Sequence, residues 1–136
     1  SNSMIVRTSG IYGPNCGWLN WLKSEAPGEQ QIVCYADVHN SPTCVYNLAE
    51  MIMDMIECGF DGCINLSGPQ RLNRYDLYKK VFKHYNGNVA RLLSGTANGT
   101  MPYDVSLDNT LYYELTNKAP WTVEQGLAAM VRKEAI

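Results

Sequence analysis

The sequence predicts an α/β fold in which parallel strands alternate with flanking helices. Short apolar runs stand before segments with helical spacing of apolar residues, and glycine, proline and asparagine separate them. The chain has 136 residues, of which 46% are hydrophobic and 18% charged, so it is long enough for one domain with a real core. Because the first ordered element is a strand, we expect its sheet to be the end of a larger one.

Each element of this pattern has its own signal. The predicted strands are residues 4–9 (MIVRTS), 31–35 (QIVCY), 63–66 (CINL) and a shorter run at 89–93. Amphipathic segments predict helices over residues 15–26, from 47 to before Gly59, and over 73–85, 108–115 and 122–131. Asn47, Asn73 and Asp108 stand at three predicted helix starts, where a side-chain oxygen can accept from an unpaired backbone N–H. Residues 94–102, rich in Gly, Thr and Asn, predict a loop.

Composition excludes several classes of protein. The formal charge is −2 without a basic stripe, so we expect no nucleic-acid partner. No apolar run is long enough to cross a bilayer and no signal-peptide pattern opens the chain, so we expect no membrane partner. The five cysteines are odd in number and form no Cys-x-x-Cys pair, which favours reduced thiols and a cytoplasmic location.

Two further expectations concern the ends of the domain and metals. Residues 1–3 (SNS) before Met4 are typical of an expression-tag remnant, which leaves residues 4–136 as the predicted domain. His39 and His84 each lack a second ligand at metal spacing, so we expect no metal site.

A glycine-rich turn follows the first strand and has two interpretations. Gly10, Gly13 and Gly17 precede a helix, as in loops that bring backbone N–H groups to a dinucleotide pyrophosphate. Asp37 even lies where a ribose-binding acid is expected. The spacing does not fit the G-x-G-x-x-G pattern, however, and Pro14 removes a donor. A turn followed by a helix start is the favoured interpretation.

Tyr75 and Lys79 form a second motif that could carry chemistry. Short-chain reductases use Tyr-x-x-x-Lys on one helix face, where the ammonium lowers the pKa of the phenol. Here the pair opens an amphipathic helix behind a Ser-Gly-Pro turn. We favour an ordinary solvated helix face over a catalytic pair.

Four stretches, in order, resemble the extended short-chain dehydrogenase/reductase family, and within it the dTDP-4-dehydrorhamnose reductases. The second stretch is the most specific, and together they cover nearly all of the chain from Ile5 to Val131. The stretches are residues 6–13 (VRTSGIYG), 37–49 (DVHNSPTCVYNLA), 63–68 (CINLSG), and 101–108 with Pro120-Trp121 behind it.

This resemblance implies the C-terminal, substrate-binding portion of a Rossmann-like extended fold. In the family the glycine fingerprint and the catalytic Tyr–Lys pair precede the first stretch, so we expect them in an N-terminal cofactor half that is absent here. Neither the Gly10–Gly17 turn nor Tyr75–Lys79 then takes those roles, and no catalytic or cofactor-binding residue is assigned. The full-length family uses NADP(H), and none is expected for this chain alone.

The resemblance also implies a substrate site along three turns. The residues at the matching positions are Thr8, Ser9, Tyr12, Asp37, His39, Pro42, Thr43, Met101, Pro102 and Tyr103. Several polar positions of the family are changed, since Gly10 stands for its tryptophan, Val38 for its glutamine and Met101 for its arginine. Loss of that guanidinium removes a bidentate phosphate donor.

The function implied is that of the substrate-binding portion of an NADP(H)-dependent nucleotide-sugar reductase in dTDP-rhamnose biosynthesis, inactive alone. The expected partners are a nucleotide sugar and, at the unpaired edge of the first strand, either a separate N-terminal half or a second copy. One alternative is a non-catalytic interaction subunit resembling the methionine adenosyltransferase beta subunit. Another is a truncated gene product without activity.

Overall fold

A computed structural model describes residues 3–134, in which strands and helices alternate along the chain. The strands are β1 (Met4–Arg7), β2 (Ile11–Tyr12), β3 (Ile32–Tyr35), β4 (His39–Asn40), β5 (Thr43–Cys44), β6 (Gly62–Asn65), β7 (Leu72–Asn73) and β8 (Leu92–Gly95). The helices are α1 (Gly17–Glu25), α2 (Val45–Glu57), α3 (Arg74–His84), α4 (Thr110–Thr116) and α5 (Val123–Glu134), with a 3-10 turn at Val89–Arg91.

The strands associate in pairs. β1 pairs with β6, β2 with β5 and β3 with β8, all in parallel, while β4 and β7 pair antiparallel. The predicted α/β class with parallel strands is therefore confirmed. Each parallel partner is reached through intervening helices, as parallel pairing requires.

Helices cover one face of each long ladder. The larger core cluster gathers α1, α3 and α5 on one face of the β3–β8 ladder, and the smaller one gathers α2 and Tyr112 of α4 on one face of β1–β6. On the opposite faces, Ile5 of β1 is 63% exposed and Val33 of β3 is 62% exposed. Alternation of side chains along a strand explains both the buried and the exposed rows.

Two predicted helix starts differ in their outcome. Asn73 is the N-cap of α3, and its Oδ1 accepts from the N–H of Asp76 at 2.7 Å, as predicted. The sequence also predicts Asn47 as the cap of α2, but that helix begins earlier, at Val45. Asn47 is buried, and its Oδ1 accepts from the N–H of Trp121 at 2.8 Å. The side chain of Asn47 therefore pairs with a backbone group far away in sequence instead of capping α2, and the local sequence does not show that partner.

The segment after α3 also differs from the expectation. The sequence predicts a strand at residues 89–93, but Val89–Arg91 forms a 3-10 turn and β8 begins at Leu92 and continues to Gly95, into the predicted loop. The side chain of Asn88 accepts from the N–H of Ala90 at 3.0 Å and so favours the turn. The sequence predicts Asp108 as the cap of α4, but the N-cap is Asn109. Asp108 precedes it, and its Oδ1 accepts from the N–H of Thr110.

Arg91 is a buried cation held by backbone carbonyls. It is only 6% exposed, and its guanidinium donates to the carbonyls of Gln30, Glu25 and Ala26 at 2.8–3.1 Å. Two of these carbonyls lie at the C-terminal end of α1, where the helix dipole favours a positive charge. Arg91 thus ties the end of α1 to the start of β8.

Within residues 3–134, no helix is both long and apolar enough to span a membrane.

Candidate ligand-binding site

Two of the turns singled out in the sequence meet through backbone hydrogen bonds. The N–H of His39 donates to the carbonyl of Tyr103 at 2.7 Å, and the N–H of Val105 donates to the carbonyl of His39 at 3.0 Å. The third turn joins them through Gly10, whose carbonyl accepts from the N–H of Thr43 at 3.0 Å. The structure therefore brings the three predicted segments together at one place.

Two of the predicted site hydroxyls hold this junction. Ser9 Oγ donates to the carbonyl of Val105 at 2.8 Å and accepts from the N–H of Ser41 at 3.0 Å. Thr43 Oγ1 lies 2.6 Å from the carbonyl of Ser9 and accepts from the N–H of Gly68 at 3.0 Å. Both side chains are buried. They position the turns, and their hydrogen-bonding capacity is used inside the protein.

Tyr12 lies in the core at the end of β2. It is 1% exposed, and its hydroxyl packs against Gly126 of α5, where even a methyl group would meet it. Burial raises the pKa of the Tyr12 phenol well above its ordinary value, with the neighbouring Cys44 and Glu124 adding to the effect. Its hydroxyl is thus enclosed by the fold.

The remaining predicted residues surround the junction at different depths. Asp37 is half-buried, and its carboxylate accepts from the N–H of Ala97 at 2.9 Å, which fixes the loop after β8. Pro42 is buried, with its carbonyl against Gly68. His39 and Met101 are half-buried, and Thr8, Pro102 and Tyr103 are exposed. Thr8, His39, Met101, Pro102 and Tyr103 are therefore the predicted residues with accessible side chains.

A cavity of about 140 Å³ adjoins the Gly10 turn, and sequence reasoning missed most of its lining. It lies between the first turns of α1 and α3 and is lined by Gly10, Trp18, Asn40, Arg74, Leu77 and Tyr78. Gly10 has a φ of +53°, and a Cβ there would stand 3.0 Å from the carboxamide of Asn40. Glycine is thus required for this turn to approach Asn40.

Arg74 is the cation of this cavity. Its guanidinium lies over the ring of Tyr35, the last residue of β3, at 5.8 Å. No carboxylate in residues 3–134 forms an ion pair with it. Its position offered one signal, because arginine in the first turn of a helix opposes the helix dipole. A charge placed against the dipole and left unpaired points to a function outside the helix.

Aromatic and amide groups complete the cavity. Trp18 and Tyr78 stack with their rings 5.8 Å apart and 12° from parallel. Burial raises the pKa of Tyr78, and the positive charge of Arg74 works against that rise. Asn40 Oδ1 is buried and has no hydrogen-bond donor within the described part of the chain. Buried amide oxygens are almost always paired, so this oxygen is suited to accept from a bound molecule.

The glycine-rich turn does not fit a dinucleotide pyrophosphate. Gly10 faces Asn40, and a Cβ at Gly13 would meet the side chain of Val45 at 2.6 Å, so both glycines serve close packing. The carbonyl of Pro14 accepts from the side chain of Asn20 at 3.0 Å. The groove beside the turn, of about 320 Å³, is lined by residues 11–16 and Val45 and contains no charged side chain. The favoured interpretation as a turn and helix start agrees with this geometry.

The Tyr75–Lys79 pair adopts a geometry different from that of a catalytic pair. The ammonium of Lys79 lies over the ring of Tyr75, 5.0 Å from its centroid. In that position it makes a cation–π contact with the face of the ring.

Tyr12→Phe is expected to leave ligand binding unchanged. The hydroxyl lies 3.5 Å from the carbonyl of Val123, too far for a strong hydrogen bond, and it is enclosed by the core. The affinity for a ligand that binds at the junction should change by no more than about twofold. Titration calorimetry of the two proteins measures this, and a tenfold loss would place the phenol in contact with the ligand after all.

The architecture is the Rossmann-like α/β fold of the extended short-chain dehydrogenases/reductases, as comparison with solved structures shows. Several dTDP-4-dehydrorhamnose reductases are among these structures. The enzyme from Bacillus anthracis, solved with NADP, has a TM-score of 0.83 and 23% identity over 96% of this chain and 48% of its own. The hypothetical enzyme from Sulfolobus tokodaii has a TM-score of 0.76 and 24% identity over 93% of this chain and 46% of its own.

A third structure broadens the comparison within this fold. The dTDP-glucose 4,6-dehydratase from Bacillus anthracis, solved with NAD, has a TM-score of 0.75 and 15% identity over 95% of this chain and 43% of its own. The chain thus spans about half the length of each of these three solved structures. No protein-family model and no curated protein sequence matches the chain. At these identities the likeness establishes the fold, and the fold expected from the resemblance is confirmed.

Proposed function

We propose that this chain is the substrate-binding portion of an NADP(H)-dependent nucleotide-sugar reductase of the dTDP-4-dehydrorhamnose reductase type. The observation that carries the proposal is the convergence of the Gly10 turn with residues 39–43 and 103–105 beside a cavity that contains an unpaired cation. Ligands of open α/β folds bind beyond the carboxyl ends of the strands. Here β1 ends at Arg7, two residues before Ser9, and β3 ends at Tyr35.

The substrate would lie along the accessible residues of the junction. Thr8, His39 and the exposed 101–103 turn offer hydroxyl, imidazole and aromatic groups to a sugar, while the adjoining cavity receives a charged portion. Ser9, Thr43 and Asp37 would act by holding the turns in place, as their internal hydrogen bonds indicate.

The chemical step would need groups from a second segment. In the proposed reductase, NADP(H) supplies a hydride to the ketone of the sugar and a tyrosine supplies the proton. The Gly10–Gly17 turn packs against Asn40 and Val45 and does not fit a dinucleotide pyrophosphate, and Lys79 lies over the ring of Tyr75. We therefore propose that an N-terminal half, in the same or a separate polypeptide, provides both. All five cysteines are free, which fits the cytoplasmic location proposed for such an enzyme.

β1 supplies the surface for that second half. It pairs with β6 along one edge only, and Ile5 on its uncovered face is 63% exposed. An unpaired strand edge with an apolar face is a template for a further strand and a covering helix. Self-association of the chain would use the same surface in the absence of the second half.

Binding of a dTDP sugar tests the proposed function. We expect the chain to bind a dTDP sugar in the micromolar to millimolar range and to reduce no keto-sugar with NADPH when alone. Titration calorimetry with the dTDP sugar, followed by chemical-shift mapping, gives the affinity and the location. Shifts should cluster at residues 8–10, 37–43 and 101–105. Shifts on the opposite side of the sheet, or no binding, would overturn the proposal and favour the interaction-subunit alternative.

A further inference from the structure

We propose that Arg74 binds a phosphoryl group in the cavity between the first turns of α1 and α3. The proposal rests on the proposed function for the identity of the complete ligand, while the anion site itself is argued from the residues around it. Its ligand class is a phosphate or diphosphate group carried by a larger molecule.

The guanidinium of Arg74 is not neutralised by a carboxylate within residues 3–134. Arg71 and Lys80, on either side of Arg74 in sequence, are paired with Asp104 at 3.0 Å and with Glu124 at 2.7 Å. Arg74 has no carboxylate partner within residues 3–134, although its residue is half-buried. A guanidinium presents donors in a rigid fork that matches phosphoryl oxygens, so an unpaired one beside a cavity is suited to an anion.

The groups that surround the cavity also favour a negatively charged ligand. The cavity adjoins the N-terminal turn of α3, an 11-residue helix whose dipole places partial positive charge there. The carboxamide of Asn40 and the indole of Trp18 line the same space and carry N–H donors. The unpaired Oδ1 of Asn40 can accept from a hydroxyl of the same ligand. The donors therefore favour an anion, and the unpaired acceptor favours a hydroxyl group next to that anion.

The volume of the cavity also fits a phosphoryl group. A volume of about 140 Å³ is roughly that of four or five water molecules at ~30 Å³ each. This space receives a phosphoryl group but not a whole nucleotide sugar. The rest of the ligand must then extend from the cavity, along the Gly10 turn towards the accessible residues of the junction.

Inorganic pyrophosphate is the probe for this site. We expect the chain to bind pyrophosphate at millimolar concentration or below, with binding weakened at high salt and with a shift of the Trp18 indole N–H signal in NMR spectra. Arg74→Gln should weaken binding by about tenfold or more, since it removes charge-assisted hydrogen bonds. Arg71→Gln is the matched control. It removes the same charge three residues before Arg74, from an arginine that is paired with Asp104.

The outcomes separate this proposal from the proposed function. If Arg71→Gln and Arg74→Gln weaken pyrophosphate binding equally, or if the native chain does not bind pyrophosphate, the Arg74 site is wrong. If a dTDP sugar binds the native chain and Arg74→Gln with equal affinity, the proposed function stands and the Arg74 site is overturned. If pyrophosphate binding depends on Arg74 but no dTDP sugar binds, the anion site stands and the proposed function is wrong. Thermal unfolding of both variants should match that of the native chain.

Discussion

Gly68→Ala should destabilise the protein by about 3 kcal/mol or more. A Cβ at this position would overlap the carbonyl oxygen of Pro42, a backbone atom that cannot turn aside. Gly68 is held on both sides, because its N–H donates to Thr43 Oγ1 and its carbonyl accepts from Asn109. Relief of the clash must therefore move the turn after β6 away from residues 42–43.

Urea denaturation of the variant and the native chain measures this change in the free energy of unfolding. Gly17→Ala is the control, since Gly17 begins α1 and a methyl group added there would have no atom within 4 Å. We expect the control to be neutral or slightly stabilising, because alanine is favoured over glycine in a helix. Equal stability of the Gly68 variant and the native chain would contradict the close approach of the two segments.

Arg91→Met is the second substitution with a large expected effect, about 3 kcal/mol of destabilisation. Methionine keeps much of the apolar length of the side chain. It removes the guanidinium, which lies over the ring of Phe82 and donates to the carbonyls of Gln30, Glu25 and Ala26. Each buried acceptor left unpaired costs about 1–3 kcal/mol, and some of them will regain water or weaker partners. The loss of the positive charge at the end of α1 adds a smaller amount.

The matched control is Arg132→Met on the exposed surface of α5. It makes the same change of charge and side chain, and surface substitutions of this kind usually lie within about 0.5 kcal/mol of neutral. Urea denaturation of both variants separates the effect of burial from that of charge. A loss of similar size in the two variants would show that the carbonyl cluster contributes little.

The sequence predicts the parts of this fold whose signal is local. The three apolar runs at residues 4–9, 31–35 and 63–66 each overlap a strand of the structure, because apolar β-branched runs bounded by turn residues have few other stable arrangements. The Asn73 cap was predictable for the same reason, since donor and acceptor lie three residues apart. The meeting of the site segments followed from the resemblance and agrees with the backbone contacts of His39.

Local sequence patterns do not show the environment of side chains whose partners are distant in sequence. Asn47 has the residue type of a helix cap, but its acceptor oxygen binds a backbone N–H 74 positions later. Tyr12 matches a substrate-pocket position, yet its environment is set by α5, and the carbonyl nearest its hydroxyl is 111 positions later. No pattern within a window of a few residues contains that information. Arg74 was only weakly indicated by the local sequence, because the cavity beside it forms only when the chain folds.

The two long parallel ladders interleave along the chain, and this has a consequence for how the protein folds. The β1–β6 ladder joins residues 4–7 to 62–65, and the β3–β8 ladder joins residues 32–35 to 92–95. Every position from 36 to 61 therefore lies inside both closed loops. Such long-range closure is entropically costly and makes folding slow compared with that of a helical bundle of equal length. It also means that the first ladder cannot be excised without breaking the second, so the two halves of this chain are not independent folding units.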